Sequence, residues 1–75
     1  MKHFAQLDLS GEESPIPMIR TKELLDLANT GDTIKVTVSK ESAVKNIATL
    51  VSNNPYEIVE TVKEQSRYVL YIRKL

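Results

Sequence analysis

Two prolines in one short run, Ser14-Pro15-Ile16-Pro17, constrain this chain more than any other feature. Proline in a helix interior removes a hydrogen bond and clashes with the preceding turn, but in the first turn it costs nothing, because those N–H groups have no intrahelical partner. An apolar-rich segment follows, so the run reads as a helix start. Ser14 is placed to cap it through its hydroxyl. Pro15 then falls at the first helical position, where its fixed φ helps. Pro17 still lies inside the first turn.

The rest of the chain divides around that point. Ala5, Leu7 and Leu9 alternate with Gln6 and Asp8, which predicts a strand over 3–9. Ser10 to Glu13 form a loop containing Gly11. The first helix runs from Pro15 to Ala28, with Met18, Ile19, Leu24, Leu25, Leu27 and Ala28 as its apolar face. Asn29-Thr30-Gly31 ends it, with Gly31 free to take a left-handed conformation. Thr33–Val38 is the clearest strand: Ile34, Val36 and Val38 point one way, and Thr33, Lys35 and Thr37 the other, toward water. Ser39 is placed to cap a second helix running to Val51, with Ala43/Val44, Ile47/Ala48 and Leu50/Val51 as its stripe. Pro55 disfavours helix at Asn54 and so stops it, and Asn53-Asn54 serve the turn. Tyr56–Val62 and Arg67–Arg73 are rich in β-branched and aromatic residues, and Lys63–Ser66 is the length of a hairpin connection. The order is β-α-β-α-β-β. Right-handed crossovers place both helices on the same face of a four-stranded mixed sheet, an α/β two-layer sandwich. Residues 1–75 read as one domain, without linkers, repeats or low-complexity segments. One of the sets Val69/Tyr71 and Tyr68/Leu70/Ile72 must line the uncovered sheet face.

Composition removes several function classes. There is no cysteine, so disulfides, thiolate metal sites and cysteine nucleophiles are excluded as the chain stands. The lone histidine argues against zinc, and no other metal or cofactor is implied. Ten basic residues balance ten acidic ones, which counts against nucleic acid as a partner. Tyr56, Tyr68 and Tyr71 would suit base stacking only with surrounding cations, so packing is their expected role. No apolar run is long enough to span a membrane, and Met1-Lys2-His3-Phe4 lacks the apolar region of a signal peptide, so the expectation is a soluble cytoplasmic protein.

Leu7-Asp8-Leu9-Ser10-Gly11-Glu12-Glu13-Ser14-Pro15-Ile16-Pro17, with Lys22 downstream and Gly31-Asp32-Thr33-Ile34-Lys35-Val36 further on, resembles the TusA/SirA family of small sulfur-carrier proteins. The family pattern is Leu-Asp-x-x-Gly-x-x-Cys-Pro-x-Pro, and the likeness covers nearly the whole chain. It implies the same sandwich fold and a place in a sulfur relay, with a cysteine desulfurase or a downstream relay protein as partner. In relatives the cysteine takes up a persulfide sulfur and passes it on. Here that position is Ser14. An acidic residue common in the family's second helix is Asn46, a glycine often found before the third strand is replaced within Asn53-Asn54-Pro55, and Glu12 and Glu13 stand where an apolar residue is usual.

Chemistry sets the consequence. A thiol titrates near ~8.5, lower still at a helix N-terminus, whereas a serine hydroxyl is far less acidic and forms no persulfide. As a nucleophile Ser14 would need a base and an orienting group, such as His3 and Asp8, and His3 sits at the far end of the first strand. The motif supports no reaction as written. The expected role is a binding member of the family, with Arg20, Lys22 and the Ser14 loop, including Glu12 and Glu13, as a docking surface, and Gly11, Pro15 and Pro17 as its frame. Two other readings stay open: an active carrier whose native cysteine at position 14 was changed to serine, and a small RNA-binding domain on a fold like that of initiation factor 3. The departures at Glu12, Glu13, Asn46 and Asn54 favour natural divergence over an engineered swap.

Overall fold

A computed structural model describes residues 3–75, with side chains from Ala5 onward. It contains β1 (His3–Asp8), α1 (Ile16–Leu27), β2 (Thr33–Val38), α2 (Glu41–Ser52), β3 (Tyr56–Lys63) and β4 (Tyr68–Lys74). The four strands form one mixed sheet in the order β1-β2-β4-β3. β1 runs parallel to β2, while β2/β4 and β3/β4 are antiparallel. Both helices pack on one face, as the connection rules predict.

Alternation decides which side chains meet the helices. Ile34, Val36 and Val38 of β2 and Leu70 and Ile72 of β4 are fully buried, in one cluster with Leu25, Ala43, Ile47, Leu50 and Tyr56. In β4 the set on the uncovered face is therefore Val69 and Tyr71. Val69 is nevertheless buried, and so are Thr33 and Thr37 of β2. The expectation that these threonines face water is corrected: they point away from the helices, but β2 is an interior strand between β1 and β4, and both threonines are buried. β3 carries an irregularity between Ile58 and Glu60. Such a bulge twists an edge strand and discourages pairing with another chain.

Both expected serine caps are corrected. α1 begins at Ile16, Pro15 is its N-cap residue, and no side chain caps it. Ser14 finds no backbone donor in the first turn, because the Ile16 N–H is taken by the Glu13 carbonyl at 2.9 Å and Pro17 has no N–H. Pro17 does lie in the first turn and is fully buried. At α2 the N-cap residue is Lys40, and the Ser39 hydroxyl donates to the Ser10 carbonyl at 2.5 Å. The expected apolar face of α1 also changes. Pro17, Thr21, Leu25 and Ala28 are buried, whereas Ile19 and Leu27 are exposed. On α2, Ala43, Ile47 and Leu50 are buried as predicted, and Ala48 is exposed.

The α1 C-terminus is held from the sheet. Lys74 Nζ donates to the carbonyls of Leu25 and Ala28 at 3.0 and 2.9 Å. Gly31 has a φ of +93°, the left-handed conformation expected of it, and its N–H donates to the Lys74 carbonyl. At the end of α2, the Asn54 side-chain amide donates to the Leu50 carbonyl at 2.9 Å, so the Asn53-Asn54 pair does serve the helix end and turn. No helix among the described residues is long and apolar enough to cross a membrane.

Candidate functional site

The loop between β1 and α1 carries the motif and is fastened at both ends. Asp8 Oδ1 accepts from the Ser10 N–H at 3.1 Å and from its hydroxyl at 2.7 Å. These two bonds hold the Asp8 carboxyl below its ordinary value. The Leu9 N–H donates to the Thr37 carbonyl at 2.7 Å, extending the β1/β2 pairing by one residue and burying Leu9. The Glu12 N–H closes a turn onto the Leu9 carbonyl at 3.0 Å.

Three contacts then tie this loop to α2 and the residues before it. The first is the Ser39 hydroxyl on the Ser10 carbonyl. The second is an exposed ion pair between Lys40 Nζ and Glu13 Oε1 at 2.5 Å. In the third, the Asn46 side-chain amide donates to the Ser14 hydroxyl oxygen. Ser14 is thus an exposed hydroxyl engaged by a neutral amide rather than by a base. Serine activation needs a proton acceptor in contact with the hydroxyl, and a donating amide is the opposite. Asp8, the proposed orienting carboxylate, is occupied by Ser10, and the side chain of His3 lies outside the described residues.

The predicted docking residues do not form one cluster. Glu13 joins α2 through Lys40, while Glu12 is exposed and makes no ion pair among the described residues. Arg20 pairs with Glu23 along the helix at 3.6 Å, and Lys22 pairs with Asp26 at 2.9 Å. Positions two apart on a helix do not face the same way, so Arg20 and Lys22 present their charges to different sides. The Lys22 ammonium, hydrogen-bonded to Asp26, holds that carboxyl below its ordinary value, and the Tyr56 hydroxyl donates to the same carboxylate at 3.2 Å. A Cβ at Gly11 would meet open space, so no steric demand for glycine exists there. Sequence reasoning missed Ser39, Lys40 and Asn46 as members of the site. Asn46 had one signal, its departure from the resembled pattern at the same time as Ser14.

A second concavity lies on the uncovered sheet face: a cleft of about 360 Å³ between β1, β2 and the β3–β4 hairpin. Lys35 and Thr37 line it together with Asp8 and an exposed Glu64–Arg67 ion pair at 2.6 Å. Its charges balance, so it selects no ligand of one sign.

Comparison with known proteins agrees with the fold. A family model described as Sulfurtransferase TusA matches residues 5–74. A candidate sulfur carrier protein of Methanocaldococcus jannaschii is 32% identical over 69 residues, covering 92% of each chain. The sulfur carrier protein TusA of Allochromatium vinosum is 26% identical over 69 residues, 92% of this chain and 91% of its own. Among solved structures, a SirA-like protein of Desulfitobacterium hafniense superposes with a TM-score of 0.82 at 25% identity, over 93% of this chain and 96% of the other.

Proposed function

The chain belongs to the TusA family, and on that premise we propose that it is a member that docks to a sulfur-relay protein without carrying sulfur itself. The observation that supports this most is the Ser14–Asn46 contact. Ser14 stands where the resemblance places the cysteine, and Asn46 where it places a common acidic residue. Both partners of one contact have changed, and together they form a neutral hydrogen bond. A serine introduced on its own would leave an acid opposite, so the paired change supports natural divergence over an altered carrier. A hydroxyl at this position forms no persulfide, and the chain has no cysteine to do so.

Docking in this reading uses the loop from Gly11 to Ser14 and the adjoining start of α1, where Glu12 and Arg20 are exposed. The loop is held to α2 through Lys40 and Asn46, so a partner meets a surface already ordered, which lowers the entropy cost of binding. The relay partner is a cysteine desulfurase or a downstream sulfur acceptor, and the setting is the cytoplasm. The test is capture from the native organism, using the protein and its Ser14→Cys variant as baits. Both are expected to retain the same relay protein, and reversing the charges of Glu12 and Arg20 is expected to lose it. Retention of no relay protein by either bait contradicts the docking role.

A further inference from the structure

The exposed side of α1 is unusual for a helix already packed on a core. Of the five large apolar side chains with substantial exposure among the described residues, three lie on α1: Ile16, Ile19 and Leu27, with Leu27 at 74%. At 3.6 residues per turn, Ile16, Ile19, Arg20, Glu23 and Leu27 share one side of the helix, opposite the buried Pro17, Thr21 and Leu25. Beside this stripe, a shallow groove of about 160 Å³ runs between α1 and the edge strand β1, lined by Leu7, Leu24 and Leu27 and rimmed by Arg20 and Glu23.

The stripe is self-complementary. Ile16 and Leu27 lie at equal sequence distances from the helix midpoint between Thr21 and Lys22, and so do Arg20 and Glu23. A two-fold axis at that midpoint sets a second α1 antiparallel to the first. It places Ile16 opposite Leu27 of the other copy and Arg20 opposite its Glu23. Such an interface is isologous, each contact occurring twice. We propose that this stripe is the interface of a symmetric homodimer, with a second copy of this chain as occupant. Charge complementarity chooses that occupant: the Arg20–Glu23 pair within one chain is loose at 3.6 Å, and each guanidinium retains donors for the carboxylate of the other copy. A helix of this length spans only about 18 Å, so the contact is smaller than a standard interface. The dimer is accordingly weak, half-formed at about 0.1–1 mM. The inference rests on the surface of α1 alone and not on the sulfur-relay reading. A relay protein that contacts Arg20 would compete with the second copy.

Sedimentation equilibrium from about 10 μM to 2 mM brackets that association. The wild-type mass is expected to rise toward twice the monomer, and Leu27→Lys to stay monomeric with an unchanged far-UV CD spectrum. Arg20→Glu and Glu23→Arg are each expected to weaken association about tenfold, because each places like charges across the axis. An equimolar mixture of those two variants is expected to associate as wild type does. In that mixture opposite charges meet only between chains, since the pair within each chain remains broken. A wild-type protein that stays at monomer mass throughout overturns the dimer, as does a mixture no better associated than its components.

Discussion

The two helices pack side by side on the same sheet, yet they spend their apolar residues differently. α2 keeps one apolar side, with Ala43, Ile47 and Leu50 in the core and its other sides largely polar. α1 carries apolar side chains on two sides: Pro17, Leu25 and Ala28 are buried, while Ile16, Ile19 and Leu27 face outward among Arg20 and Glu23. Thr21, in the middle of its buried side, keeps a hydroxyl without a hydrogen-bond partner among the described residues. α2 thus answers to the core alone. α1 also presents apolar side chains to the outside, and it follows directly from the loop that holds Ser14. In the proposed reading, binding falls on α1 and its loop, and α2 serves as scaffold.

The sharpest way to break this comparison is to truncate both helices. Ile47→Ala, at a fully buried site on α2, is expected to cost about 2–5 kcal/mol in urea unfolding. Leu27→Ala on α1, measured well below the dimer range, is expected to stay within about 0.5 kcal/mol of wild type. Similar losses at the two sites would mean that the outer side of α1 is structural after all.

A smaller effect tests how α1 is fastened. Lys74 donates to the last carbonyls of α1, and a cation there also suits the negative end of the helix dipole. Lys74→Met keeps the length of the side chain and removes its donors, so it is expected to cost about 1–2 kcal/mol. An unchanged unfolding midpoint would show that water satisfies those carbonyls equally well.

The smallest effect is electrostatic. Asp26 is held below its ordinary value of 3.8, first by its hydrogen bond from Lys22. A carboxylate depressed in the folded state stabilises the fold fully above its unfolded value, and that contribution is lost as pH falls through the folded one. The difference in unfolding midpoint between wild type and Asp26→Asn is therefore expected to be constant near neutrality and to shrink below about pH 4. Both groups are exposed, so the whole effect is small and declines with added salt. A difference that does not change with pH would show that the Lys22–Asp26 pair contributes nothing.

The comparison of helices also explains what could be read from the sequence. The order of six elements was legible because the β2 alternation, the α2 stripe and the Ser14-Pro15-Ile16-Pro17 start each carry a distinct period or breaker. The buried side of α1 was not, since apolar residues on opposite sides of a helix leave periodicity nothing to select. Ser14 and Ser39 have the residue type of caps, but a cap also needs a free donor. Pro17 and the Glu13 carbonyl remove it for Ser14, and Ser39 bonds across to Ser10. The Ser14–Asn46 contact joins positions 32 residues apart, which no local pattern reports. Only their shared departure from the resembled family hinted at it.

The claim that this protein docks without carrying sulfur is tested most directly by competition. Ser14→Cys is incubated with a cysteine desulfurase and cysteine, and its uptake of sulfur is followed by intact mass while wild-type protein is titrated in. The variant is expected to gain sulfur and the wild type none, and wild type is expected to suppress loading of the variant in a saturable manner. A variant that gains no sulfur, or loading that proceeds unchanged at every wild-type concentration, would contradict it.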